Sequence, residues 1–155
     1  MSFTAGQKVR ASDLNRLNGE WATFTSTWAA SGTAPAIGNG TIVGSYARVG
    51  TTIHFRISLR AGSTTTYGTG SYTFSLPVTA ATISGTSTLP AWFGTAMCLD
   101  VSAPAYKTGI LQIASAATAC NVINTATGGF WGQTDPQTWA NTDYLQLGGT
   151  YEAAS

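Results

Sequence analysis

Few side chains in this 155-residue chain are able to do chemistry, and their scarcity is the first constraint on function. There is one histidine, His54, two cysteines, Cys98 and Cys120, and six carboxylates. A Ser-His-Asp arrangement needs a carboxylate to orient the imidazole, and the near neighbour of His54 on its own face is Arg56. Glycoside cleavage needs two carboxylates across one groove, which Asp135 and Asp143 would supply only if folding happened to bring them together. The chain is therefore expected not to be an enzyme. The cysteines have neither CxxC nor Cys/His spacing, so no metal site is expected. Both lie in apolar, strand-like runs, "AMCLDV" and "TACNVI", which reads as two buried free thiols, with a disulfide between them as the alternative. Walker and dinucleotide signatures are absent, so no cofactor is expected, and the "GNG" at 38–40 is a turn signal and not a phosphate loop.

The stretch "GGFWGQTDPQTWANTDY", residues 128–144, is richer. It gathers Phe130, Trp131, Trp139 and Tyr144 with Gln133, Asp135 and Asn141, and its Gly and Pro content places much of it in a loop. Aromatic faces stack on the C–H faces of sugars, while amides and carboxylates satisfy sugar hydroxyls. Trp131, Asp135 and Trp139 are thus candidate sugar-binding residues. The alternative is that these rings fill the core or a subunit interface.

The elements that must position these groups are strands. In "TTIHFRISLR", residues 51–60, Ile53, Phe55, Ile57 and Leu59 alternate with His54, Arg56, Ser58 and Arg60, the period of a strand with one apolar and one polar face. A Gly/Ser/Thr-rich stretch, 61–70, follows and is expected to run exposed at a sheet edge, before Tyr72, Phe74 and Leu76 resume the alternation. Candidate strands are 22–29, 41–48, 51–60, 71–77, 91–100, 106–114, 119–124 and 143–151. Eight strands at this spacing imply an all-β domain over 21–155, a β-sandwich or jelly roll. The polar face of strand 51–60 makes His54, Arg56 and Arg60 candidates for subunit contact, unless that face is simply solvated.

Residues 1–20 differ from the rest. "ASDLNRLNGEW" has helical character, with Ser12 as N-cap, Asp13 in the first turn, Leu14 and Leu17 three apart on one face, and Gly19 as the stop. A helix of two turns is marginal alone, so Leu14, Leu17 and Phe3 need a partner surface, either their own domain or another protein.

Composition narrows the classes. Only 8% of residues are charged, against about 25% in ordinary soluble domains. A surface so poor in charge and rich in small hydroxyl side chains fits a protein that hides much of itself in a permanent assembly. The net charge of +1 argues against nucleic acid as a partner. Charge is uneven, +4 over residues 1–60 and −3 over 61–155, which would favour head-to-tail docking of copies. "MSFTAGQKVR" lacks the apolar stretch of a secretory signal, and no run reaches the roughly 20 apolar residues of a membrane span, so neither export nor membrane insertion is expected.

Two stretches resemble known proteins. "FTAGQKVRASDLNRLN" is similar to the opening of many bacteriophage tail and fibre proteins, of the form F-x-AGQ-x-V/L-x-A-x-x-LN. Residues 25–77 resemble a β-domain of phage tail and minor virion proteins through W-x-A-x-G, GNG-T, G-x-Y and G-S-T-T-x-x-G followed by F-S-L-P. Together they cover about 70 of the 155 residues. The resemblance implies a structural component of a tailed-phage virion, assembled in the host cytoplasm and commonly trimeric. It would be a short knob, spike or fibre docked on the particle through Phe3, Leu14 and Leu17, with a host cell-surface glycan as a further partner. A capsid decoration and a carbohydrate-binding module are the alternatives. The β-domain follows the N-terminal segment with no shaft between, which suits a knob seated directly on tail or capsid.

Overall fold

A computed structural model describes residues 6, 8, 10, 11, 14, 19–84 and 90–154. The protein is all-β. Among the described residues nine strands form: β1 (Trp21–Phe24), β2 (Trp28–Ala30), β3 (Thr41–Val49), β4 (Thr52–Arg60), β5 (Tyr72–Ser75), β6 (Pro90–Asp100), β7 (Ala105–Ala114), β8 (Ala119–Asn124) and β9 (Tyr144–Glu152). They pair antiparallel in the order β1-β3-β4-β9-β6-β7-β8-β5-β2, a single curled sheet. Antiparallel pairing of this kind lets one face pack and leaves the other open, so the alternation of β4 is realised residue by residue. Ile53, Phe55, Ile57 and Leu59 are buried, while His54, Arg56, Ser58 and Arg60 are exposed.

The expected strand over 22–29 is two strands. β1 pairs with β3 at one end of the order and β2 pairs with β5 at the other, so residues 25–27 step directly between the two edges. Ser26 and Thr27 make the crossing by bonding to Ser75: the Ser26 hydroxyl donates to its carbonyl at 2.9 Å, and the Thr27 amide donates to its hydroxyl at 2.7 Å. The curl brings β2 and β5 over β4 and β9, and Trp28, Phe74, Leu59 and Leu145 line one small apolar pocket. One core cluster results, with contributions from β4, β5, β6, β7, β8 and β9. The rings of Phe55 and Tyr151 meet edge to face within it, as do those of Trp28 and Tyr72.

The Gly/Ser/Thr stretch 61–70 has a more specific role than exposure. It lies against residues 31–40, and the two segments are zipped by Thr and Asn side chains. Ala36 and Thr66 exchange backbone hydrogen bonds at 2.9 and 2.8 Å. The Thr69 hydroxyl accepts from the Thr33 amide at 2.8 Å, and the Thr64 hydroxyl from the Asn39 amide at 2.9 Å. Short hydroxylated side chains bond locally to backbone in this way, replacing a regular ladder between two irregular chains. Gly68 is needed where the chains cross: it sits at φ +60°, and a Cβ there would collide with the Thr33 carbonyl.

Cys98 on β6 and Cys120 on β8 are buried and unpaired, so the reading as free thiols holds and the disulfide does not form. Burial pushes both up to about 12. Asp143 is also fully buried, and its carboxylate ties three segments together. It accepts from the Val101 amide at 3.0 Å, the Ala140 amide at 2.9 Å and the Gln137 side-chain amide at 3.0 Å. The Cys98 thiol donates to the other end of Gln137 at 3.4 Å, which connects the group to the inner face of β6.

Candidate functional site

The outer face of the sheet holds the groups left over from folding, and register fixes how they meet. Arg56 lies opposite Ser45 of β3, and its Nε donates to the Ser45 hydroxyl at 2.8 Å. One strand further out, Trp21 of β1 places its ring 4.9 Å from the Arg56 guanidinium carbon, so that the cation stacks on an aromatic face. Arg60 lies opposite Tyr144 of β9 and covers that ring at 5.2 Å. His54 lies opposite Thr150 of β9, and its Nδ1 is 2.9 Å from the threonine hydroxyl. The three expected contact residues therefore share one face of one strand, each held by a cross-strand neighbour.

Around Arg56 the face is hollowed into a groove of about 830 Å³ that runs from β3 across β4 and β9 to β6 and β7. Its polar lining comes from Ser45, Ser58, Gln146, Thr95 and Thr108, and Val43 and Met97 stand at its sides. Around Arg60 lies a smaller hollow of about 270 Å³, rimmed by Asn39, Ser63, Asn141 and Thr142. Toward β6 and β7 the large groove opens onto an apolar field. Phe93 and Met97 of β6 and Tyr106 and Ile110 of β7 all point outward, and Phe93 and Tyr106 are 60% and 65% exposed.

The remaining expected site residues fall elsewhere. Trp131 is 0% exposed and Trp139 6%, both within the core cluster. Their faces are packed against protein, which corrects the expectation of a sugar platform at these two rings: loop composition was a poor guide because the loop folds inward. The Trp139 indole donates to the Gly132 carbonyl at 2.9 Å, and Tyr72 tilts against the same ring. Asp135 accepts from Asn124 at 2.6 Å and from Thr127 at 3.0 Å, so it braces the turn after β8. Asp143, its imagined catalytic partner, is enclosed by the amides described above. Leu14 is exposed, and Phe3 and Leu17 lie outside the described residues. Among the described residues no three His, Cys, Asp or Glu side chains gather as metal ligands.

Sequence reasoning missed Trp21 on this face, and it placed Tyr144 with the rings of 128–144 without its arginine partner. Their pairing with arginines depends on the registers of β1 with β3 and of β4 with β9, which no local pattern encodes. The chemistry available on this face is recognition: stacked guanidinium groups, hydroxyls and amides in two hollows, beside an apolar field. Comparison with protein-family models, with curated proteins and with solved structures finds no match for this chain.

Proposed function

We propose that this protein is a non-enzymatic structural component of a tailed-phage particle, a short homotrimeric knob that its N-terminal segment docks on the particle. The observation that carries the reading is the apolar half of the outer face, where Phe93, Met97, Tyr106 and Ile110 stand in water on two adjacent strands. A patch of this kind on a chain with only 8% charged residues marks a surface that another protein covers. Copies of the same chain are the economical partner, because closed homo-oligomers are the common way to hide such a face. The resemblance of residues 3–18 and 25–77 to virion proteins supports the particle as the setting.

The full-length protein is expected to have the native mass of three copies, and Ile110→Glu to have the mass of one while keeping the β-rich circular dichroism of the wild type. Purified particles should contain the chain in a multiple of three copies by quantitative mass spectrometry. A wild-type monomer, or particles that lack the chain, would overturn the reading.

A further inference from the structure

The basic part of the outer face, on β4, adjoins the apolar part and shares Met97 with it at the side of the large groove. Arg56 and Arg60 have no carboxylate partner among the described residues; one is held by Ser45 and Trp21, the other by Tyr144. Stacking fixes each guanidinium at little further entropic cost on binding and leaves its outer N–H groups to bond something else, an arrangement suited to oxyanions. Each arginine also stands at its own hollow, in which hydroxyls and amides share the lining with apolar side chains. Ser45, Ser58 and Gln146 surround the first, and Asn39, Ser63 and Asn141 the second. Hydroxyls and amides in such number complement a ligand that is itself covered in hydroxyls.

From these features we infer that the outer face of β4 binds an anionic polysaccharide, a chain of hydroxylated sugars bearing repeated carboxylate or phosphate groups. The two arginines lie four residues apart on one strand, roughly 13 Å at the strand rise. One carboxylate or phosphate cannot reach both, so a ligand that uses both carries its charges on a chain. Nucleic acid is the less suitable polyanion: its affinity comes from neutralising many phosphates, and this face offers two arginines and one histidine. The inference does not rest on the virion reading, since it concerns Arg56 and Arg60 of β4 and not Phe93, Tyr106 or Ile110 of β6 and β7.

The test uses the full-length protein against three immobilised glycans, polygalacturonate, a phosphomannan and neutral dextran, and against single-stranded DNA. The wild type should bind at least one of the first two in a salt-sensitive manner and leave dextran unbound; which one it prefers separates carboxylate from phosphate as the charge it reads. Arg56→Gln with Arg60→Gln should weaken binding by about tenfold or more, as expected for the loss of two charge-assisted contacts. Lys107→Gln, a cation removed elsewhere on the molecule, should change it less than about twofold, which separates the site from general charge attraction. Four results would overturn the inference: no binding to either polyanion, equal binding to dextran, tighter binding to single-stranded DNA, or wild-type binding by the double variant. A double variant that changes native mass would also overturn it, by assigning the groove to a second copy of the chain.

Discussion

Ile110 and Leu111 are neighbours on β7, similar in size, and 42% and 0% exposed. The same contrast runs across the whole sheet. On the inner face the alternate positions of β4, β7 and β9 close into one apolar cluster; Asp143 and the hydroxyls of Tyr72 and Tyr151 enter it with hydrogen bonds made, whereas the buried indole N–H groups of Trp28 and Trp131 have no partner. On the outer face the intervening positions hold arginines stacked on rings, small hydroxyls, and large apolar side chains in water. Folding dictates the inner set, because a change there is felt through packing. Nothing in the fold requires Phe93 or Arg56, so the outer set reports on what the molecule meets.

The contrast breaks if the two faces respond alike to truncation. Leu111→Ala should cost about 2–5 kcal/mol of unfolding free energy, the loss of buried contacts plus the cavity left behind. Ile110→Ala should stay within about 0.5 kcal/mol of the wild type when measured on the monomeric form, since it removes an exposed side chain. Urea unfolding of both variants reads the difference directly. Comparable losses would mean that the outer face carries stability of its own.

Much of this was legible in the sequence. The two-residue period of β4 gave its inner and outer sets, and seven of the eight candidate strands lie close to observed ones, because a half-buried strand writes its pattern locally. The split of 22–29 was not legible: Trp21 to Ala30 reads as one extended run, and only the curl, which brings the two edges three residues apart, divides it. The Trp131 and Trp139 positions failed for a related reason. Turn residues mark the loop 128–144 correctly, but whether a loop folds over the core depends on distant partners such as Tyr72, whose amide donates to the Trp131 carbonyl and whose ring tilts against Trp139. The segment 61–70 shows the limit most clearly, since its Gly and Thr content suggested an exposed loop at a sheet edge where it is bonded along its length to residues 31–40.

That zipper gives a second, smaller contrast, between close approach enforced by glycine and the open turns elsewhere. Gly68→Ala should cost about 1–3 kcal/mol, because alanine is strained at positive φ and its Cβ meets the Thr33 carbonyl. Gly50→Ala shares the positive φ but has open space around the new Cβ. Its cost should be limited to the backbone term, about 1 kcal/mol. Thermal unfolding of the pair separates collision from conformation, and equal shifts would mean that the two segments move apart at little cost.

The smallest effect concerns protons held on the inner face. Burial raises the Cys98 and Cys120 thiols from 9.0 to about 12, so both stay neutral in the folded protein well above the pH at which unfolded thiols ionise. Above that ordinary value the unfolded chain binds fewer protons than the folded one, and the free energy of unfolding falls as pH rises. The loss begins near pH 9 and continues until the folded thiols themselves ionise at about 12. One pH unit above the unfolded value it amounts to about 1 kcal/mol per thiol. Tyr72 and Tyr151, also raised by burial, add to the decline only above their ordinary value of 10.0, which leaves the first part of the slope to the cysteines. Cys98→Ala with Cys120→Ala should therefore flatten the pH dependence of the urea midpoint between about pH 8 and about pH 10, whatever it does to stability at neutral pH. An unchanged slope would mean that the two thiols do not carry the alkaline sensitivity.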